Sequence, residues 1–109
     1  MCSSDLNLKM NPPLRKASDA EALRQGLIDG SIDCLVTDHA PHAAHEKDCE
    51  WEIAFFGTIG LETSLPLMLT KMVGPGLMGW DRLVQVMAVK PREILRLPEI
   101  GRASCRERV

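Results

Sequence analysis

The sequence predicts an α/β fold, and a piece of one rather than a closed domain. Three observations predict it. A short apolar run at 32–37 (Ile32, Cys34, Leu35, Val36) reads as a strand buried on both faces. Apolar residues at helical spacing flank it on both sides. Only this one strand is found in 109 residues, yet a parallel-type strand needs neighbours at its edges. Each buried backbone group left without a partner costs about 1–3 kcal/mol, so the neighbours are expected from elsewhere in a larger domain.

Each element has its own local reason. Ser18-Asp19-Ala20-Glu21 has the form of a capping box, opening a helix whose Leu23 and Leu27 share a face and whose stop is Gly30. The strand at 32–37 follows. Residues 40–58 are irregular and rich in charge and aromatics, long enough for a loop covering a site. Leu61, Leu65, Met68 and Met72 then fall at helical spacing as a core-facing stripe, with Pro66 either in the first turn or at a kink. Gly74-Pro75-Gly76 breaks the chain, and 81–89 form a second amphipathic segment with Leu83, Val86 and Met87 inward. Pro91 is placed to open a short third helix. Residues 1–6 and 102–109 lack apolar periodicity and are expected to be non-native tails, which leaves 7–101 as the structured portion.

Composition narrows the function. The formal net charge of −2 carries no basic stripe, which argues against nucleic acid. No apolar run reaches the roughly 20 residues of a membrane helix, and no leader pattern opens the chain. Four cysteines without a C-x-x-C pair suit a reducing compartment, so the cytoplasm is the expected location.

Chemistry concentrates in Thr37-Asp38-His39-Ala40-Pro41-His42, where an acid and two imidazoles stand at the carboxyl end of the expected strand. α/β proteins place their sites there. A carboxylate at that point can bind metal or move a proton, and imidazoles can hold an anion. Taken alone, the run reads equally well as a polar junction with Asp38 capping a turn. His39 reads as a brace for the loop rather than a ligand, His45 as solvated, Glu62 as an acid at a helix start, and Cys34 as a small core residue. Arg15 either pairs with an acid near the site or sits on a loop.

Asn11-Pro12-Pro13-Leu14-Arg15, the Asp38 motif, and Phe56-Gly57 leading to Gly60-Leu61-Glu62-Thr63 occur in order. The steps of 27 residues from Asn11 to Asp38 and 18 from Asp38 to Phe56 complete the pattern. In these respects the chain resembles the C-terminal part of a class I dihydroorotase, a metal-dependent amidohydrolase. The resemblance implies a (β/α)₈ TIM barrel, incomplete in this chain, and the zinc-dependent interconversion of L-dihydroorotate and N-carbamoyl-L-aspartate in pyrimidine biosynthesis. It implies that Asp38 is a zinc ligand and proton shuttle, and that Asn11, His42, Phe56 and Gly57 bind substrate. One or two zinc ions are implied, with most ligands outside this chain, and the chain alone is expected to be inactive. A homo-oligomer or an association with aspartate transcarbamoylase is the implied assembly. Two departures stand out: Phe55 where a proline commonly precedes the Phe-Gly pair, and Lys90 where an asparagine precedes the helix-opening proline. The family's His-x-His pair is not found. Two other readings follow from the same residues. One is a non-catalytic dihydroorotase-like subunit; the other is a related cyclic amidase such as an allantoinase or dihydropyrimidinase.

Overall fold

The computed structural model describes residues 6–98. The expected tails at 1–5 and 102–109 lie outside the described residues, whereas Leu6 is itself buried.

Helix α1 runs Ala17–Asp29. It begins two residues earlier than a Ser18 cap would place it: Lys16 is the N-cap, without a side-chain hydrogen bond. Ser18 therefore lies inside the first turn, and Glu21 is free to accept from Arg24 Nη1 at 2.9 Å and Gln25 Nε2 at 3.0 Å. Gly30 ends the helix as expected, at φ +92°. Its N–H and that of Ile32 both reach the Gly26 carbonyl, at 3.2 and 2.9 Å, which seals the last turn. Of the expected Leu23–Leu27 face only Leu27 is buried; Leu23 stays exposed.

The α/β expectation is corrected here: the described residues are helical and contain no β-strand. Residues 32–37 run between helices without a ladder, and Leu35 N–H donates at 2.9 Å to the carbonyl of Val86, a helical residue. A strand is a property of a pair, and the described residues hold no second strand beside this segment. Among the described residues the one β-type link is an isolated parallel bridge between His39 and Thr58.

A short helix, α2, covers Ala44–Lys47, and the Glu46 carboxylate accepts the Ala43 N–H at 2.7 Å. Helix α3 spans Leu61–Met68 and passes into a π-helical turn over Leu69–Val73. Pro66 lies inside α3 rather than in its first turn, and Thr70 Oγ1 donates to its carbonyl at 2.8 Å. Helix α4, Trp80–Val84, likewise widens into a π turn, Gln85–Val89, and continues as α5, Lys90–Ile94. Pro91, which lacks an N–H, stands at the start of α5 as expected, although α5 follows the π turn without a break. Lys90, inside the helix rather than capping it, pairs with Glu93 at 2.8 Å.

The core lies between α1, α3 and α4. Leu27, Met68, Met72, Met78, Leu83 and Val86 are buried, with Ile28, Ile32, Leu35, Leu69, Val73 and Met87 packed against them. Leu83 and Val86 face inward as expected. Leu61 and Leu65, the first half of the expected α3 stripe, are exposed. Arg82 ties the layers together: its Nε donates to the Leu27 carbonyl and its Nη2 to that of Ile32, both at 2.8 Å.

Candidate functional site

The run 32–37 ends at Asp38, which turns the chain with a φ of +45°. Aspartate is among the few non-glycine residues that visit this region, and it does so at a cost of about 1–2 kcal/mol. Asp38 is exposed. The turn presents His39, whose Nδ1 accepts the N–H groups of Gly60 and Leu61 at 3.0 and 3.1 Å. His39 therefore caps α3 with an unprotonated Nδ1, satisfying two of the amides that a helix start leaves without intrahelical partners. It braces the loop, as its sequence context suggests.

Ala40 N–H then donates to the Thr58 carbonyl at 2.9 Å, beside the His39–Thr58 bridge. These links hold residues 38–42 against 56–60. His42 Nε2 lies 2.9 Å from the Phe56 carbonyl. A carbonyl only accepts, so Nε2 carries the proton. The other ring nitrogen, Nδ1, faces Glu46 Oε2 at 3.7 Å, and the ring stacks on Phe55 with centroids 5.3 Å apart. Phe55, where the pattern has a proline, thus packs on the site histidine.

Gly57 sits in this contact at φ +130°. A Cβ there would lie 2.5 Å from the Ala40 Cβ and 3.2 Å from His42 Nε2. Only glycine allows the two segments to approach so closely. The Gly57 N–H donates to the Lys9 carbonyl at 3.0 Å, bringing in the segment that leads to Asn11. The structure thus joins His42, Phe56 and Gly57 directly. Asn11, exposed, lies two residues past Lys9, and Asp38 lies one residue before the His39–Thr58 bridge. No hydrogen bond ties either side chain to the other site residues among those described. A cleft of about 310 Å³ opens beside this junction, bordered by Asn7, Ala40, His42, Lys47, Gly57 and Thr58.

Two residues of the junction escape sequence reasoning. Lys9 is 4% exposed, and its ammonium donates to the carbonyls of Trp51 and Ala54. Lys47 donates to the carbonyls of Phe55, Leu6 and Lys9 at 2.8, 3.2 and 3.4 Å. The one signal for Lys9 is a cation between two apolar residues, Leu8 and Met10; Lys47 is indistinguishable from its charged neighbours.

Metal chemistry needs more than this junction holds. Zinc takes three or four converging ligands, and among the described residues no three His, Cys, Asp or Glu side chains stand together. Asp38 offers one carboxylate. That set does not make a zinc site.

No protein-family model matches the chain. Curated proteins do. The chain is 54% identical over 94 residues to a dihydroorotase of Mycobacterium tuberculosis, covering 86% of this chain and 22% of that protein. It is 54% identical over 91 residues to a dihydroorotase of Elusimicrobium minutum, covering 84% and 21%. To that of Leifsonia xyli it is 48% identical over 97 residues, covering 89% and 22%. The chain spans about a fifth of the length of these relatives. With half its residues shared along nearly all of its length, it is a partial sequence belonging to the dihydroorotase family.

Proposed function

We propose that this chain is the C-terminal part of a dihydroorotase, a barrel enzyme that opens L-dihydroorotate to N-carbamoyl-L-aspartate and closes it again. The observation that carries the reading is identity of 48–54% to proteins of that name across most of the chain. In the ring-opening direction a water attacks the amide carbonyl, and Asp38 takes its proton. As the C–N bond breaks, Asp38 returns that proton to the departing nitrogen. The exposed carboxylate at the turn after residues 32–37 suits a group that meets both water and substrate. The family works with a metal; zinc is the ion we assign, with Asp38 as one ligand and the remaining ligands outside the described residues.

Asn11 supplies a side-chain amide that both donates and accepts, matching a ring with N–H and C=O groups. The backbone of Phe56 and Gly57 also contacts the substrate. His42 reaches the substrate's carboxylate by exchanging it for the Phe56 carbonyl, its present acceptor. Asp38 and His42 together favour an active enzyme over a non-catalytic relative, and Asn11 with His42 favours dihydroorotate over rings without a carboxylate. The substrate is a small molecule. No described helix is long and apolar enough to cross a membrane, in keeping with work in the cytoplasm, alone, as a homo-oligomer or beside aspartate transcarbamoylase.

The test is Asp38→Asn in a complete dihydroorotase carrying this segment. Asparagine tolerates the left-handed backbone equally, so stability should hold while turnover falls about 10²–10⁴-fold. His42→Ala should act mainly on KM, since the carboxylate contact is made in ground and transition states alike. Near-normal turnover in Asp38→Asn would overturn the assignment.

A further inference from the structure

We propose that Lys9 and Lys47 are positioning residues that set the substrate-binding backbone of Phe56 and Gly57, a role that rests on the dihydroorotase reading. Lysine is almost never fully buried unless something compensates its charge. Lys9 is 4% exposed, and no carboxylate pairs with it among the described residues. What compensates it is dipoles and ring faces. Its ammonium donates to the carbonyls of Trp51 and Ala54, and lies 4.5 Å from the ring centre of Phe56 and 5.4 Å from that of Trp51.

Lys47 completes the arrangement from the other side. It donates to Phe55 O, Leu6 O and Lys9 O. Two ammonium groups thus gather five backbone carbonyls from segments more than 40 residues apart in sequence. The Lys9 carbonyl that Lys47 holds also receives the Gly57 N–H. The Phe56 carbonyl, next in chain after the one Lys47 holds, is the acceptor of His42. An apolar side chain at position 9 would fill the space but leave the Trp51 and Ala54 carbonyls without their donor. The loop would then lose the point that fixes Phe56 and Gly57 against His42. The lysines touch no reacting atom in this scheme; they act through the backbone they hold.

The experiment has two arms. In the first, backbone amide exchange is followed in this chain for the wild type, Lys9→Met and Lys47→Met. The proposal expects Gly57 and Phe55 amides to exchange at least tenfold faster, with the core amides of Leu83 and Met72 unchanged. Lys47, half-buried, supplies the decisive variant should Lys9→Met unfold. Unchanged exchange at Gly57, or equal acceleration throughout the core, overturns the proposal. In the second arm the same substitutions are placed in a complete dihydroorotase carrying this segment. KM for dihydroorotate should rise about tenfold with kcat within twofold; a fall in kcat alone would overturn it. Should the wild-type enzyme fail to turn over dihydroorotate, the functional reading fails by itself and the exchange arm still decides the role of the lysines.

Discussion

Replacing Gly57 with alanine puts a methyl group at the closest approach in the site. Its Cβ would stand 2.5 Å from the Ala40 Cβ, 3.1 Å from the Ala40 carbonyl oxygen and 3.2 Å from His42 Nε2. Carbon atoms rest at about 3.5–4.0 Å, so the two methyl groups overlap by roughly 1 Å. Ala40 has little room to yield, because its N–H is bonded to Thr58. Overpacking of this kind costs about 1–3 kcal/mol. The φ of +130° adds a backbone penalty of similar size, about 1–3 kcal/mol for a residue with a side chain. A total of roughly 2–6 kcal/mol is expected. Two other glycines separate the contributions. Gly76, at φ +75° with open space around it, should show the backbone part alone, about 1–2 kcal/mol. Gly79, at φ −78° and also open, carries neither penalty and should change little with alanine, a less free unfolded chain being offset by alanine's poorer standing at a helix N-cap. Urea midpoints compared at constant m-value measure all three. If Gly57→Ala proves no more destabilising than Gly76→Ala, the close packing described for residues 38–42 and 56–60 is wrong.

Arg82→Met removes two charge-assisted hydrogen bonds to the carbonyls of Leu27 and Ile32 and should destabilise the chain by about 1.5–3 kcal/mol; a urea midpoint within error of wild type would refute the tie between α1 and α4. Hydrogen bonds from Ser31, its side chain first and its backbone N–H second, hold the Asp29 carboxyl below its ordinary range. A depressed folded pKa contributes stability above the unfolded value that is lost as pH falls through the folded one. The contribution of Asp29 should therefore persist through neutral pH and fade only below the usual carboxylate range. Ser31→Ala should move the Asp29 titration upward when followed by carboxyl NMR, and no movement would refute the cause given.

What was legible in the sequence was what depends on neighbours in the chain. Gly30 could be read as a helix stop because a left-handed φ is a local demand, and Leu83 and Val86 as core because they share one helical face. His39 could be read as a brace from its place beside a turn. The strand at 32–37 could not be secured from its residues, since apolar, β-branched composition states a capacity for pairing and not the presence of a partner. Leu61 and Leu65 mislead for the same reason: spacing identifies a face, but what covers it is decided elsewhere. The junction of the candidate site shows both sides. Its backbone contacts at Gly57 follow a recognisable motif, whereas Lys9 and Lys47 are recognised only by the carbonyls that fold around them.

The two π turns give the chain a place where its length is adjustable. In Leu69–Val73 the Gly74 N–H bonds to the Leu69 carbonyl, five residues back instead of four, at 2.7 Å. Each such turn stores one surplus residue within a continuous helix. Deleting one residue there would leave an ordinary α turn, and the segments before and after would keep nearly the same relative orientation. The same deletion inside α1 would swing every later side chain by about 100° around the helix axis. The widened turns at 69–73 and 85–89, which carry Met72 and Val86 into the core, are thus the points where this fold can gain or lose a residue without re-aiming the faces that pack.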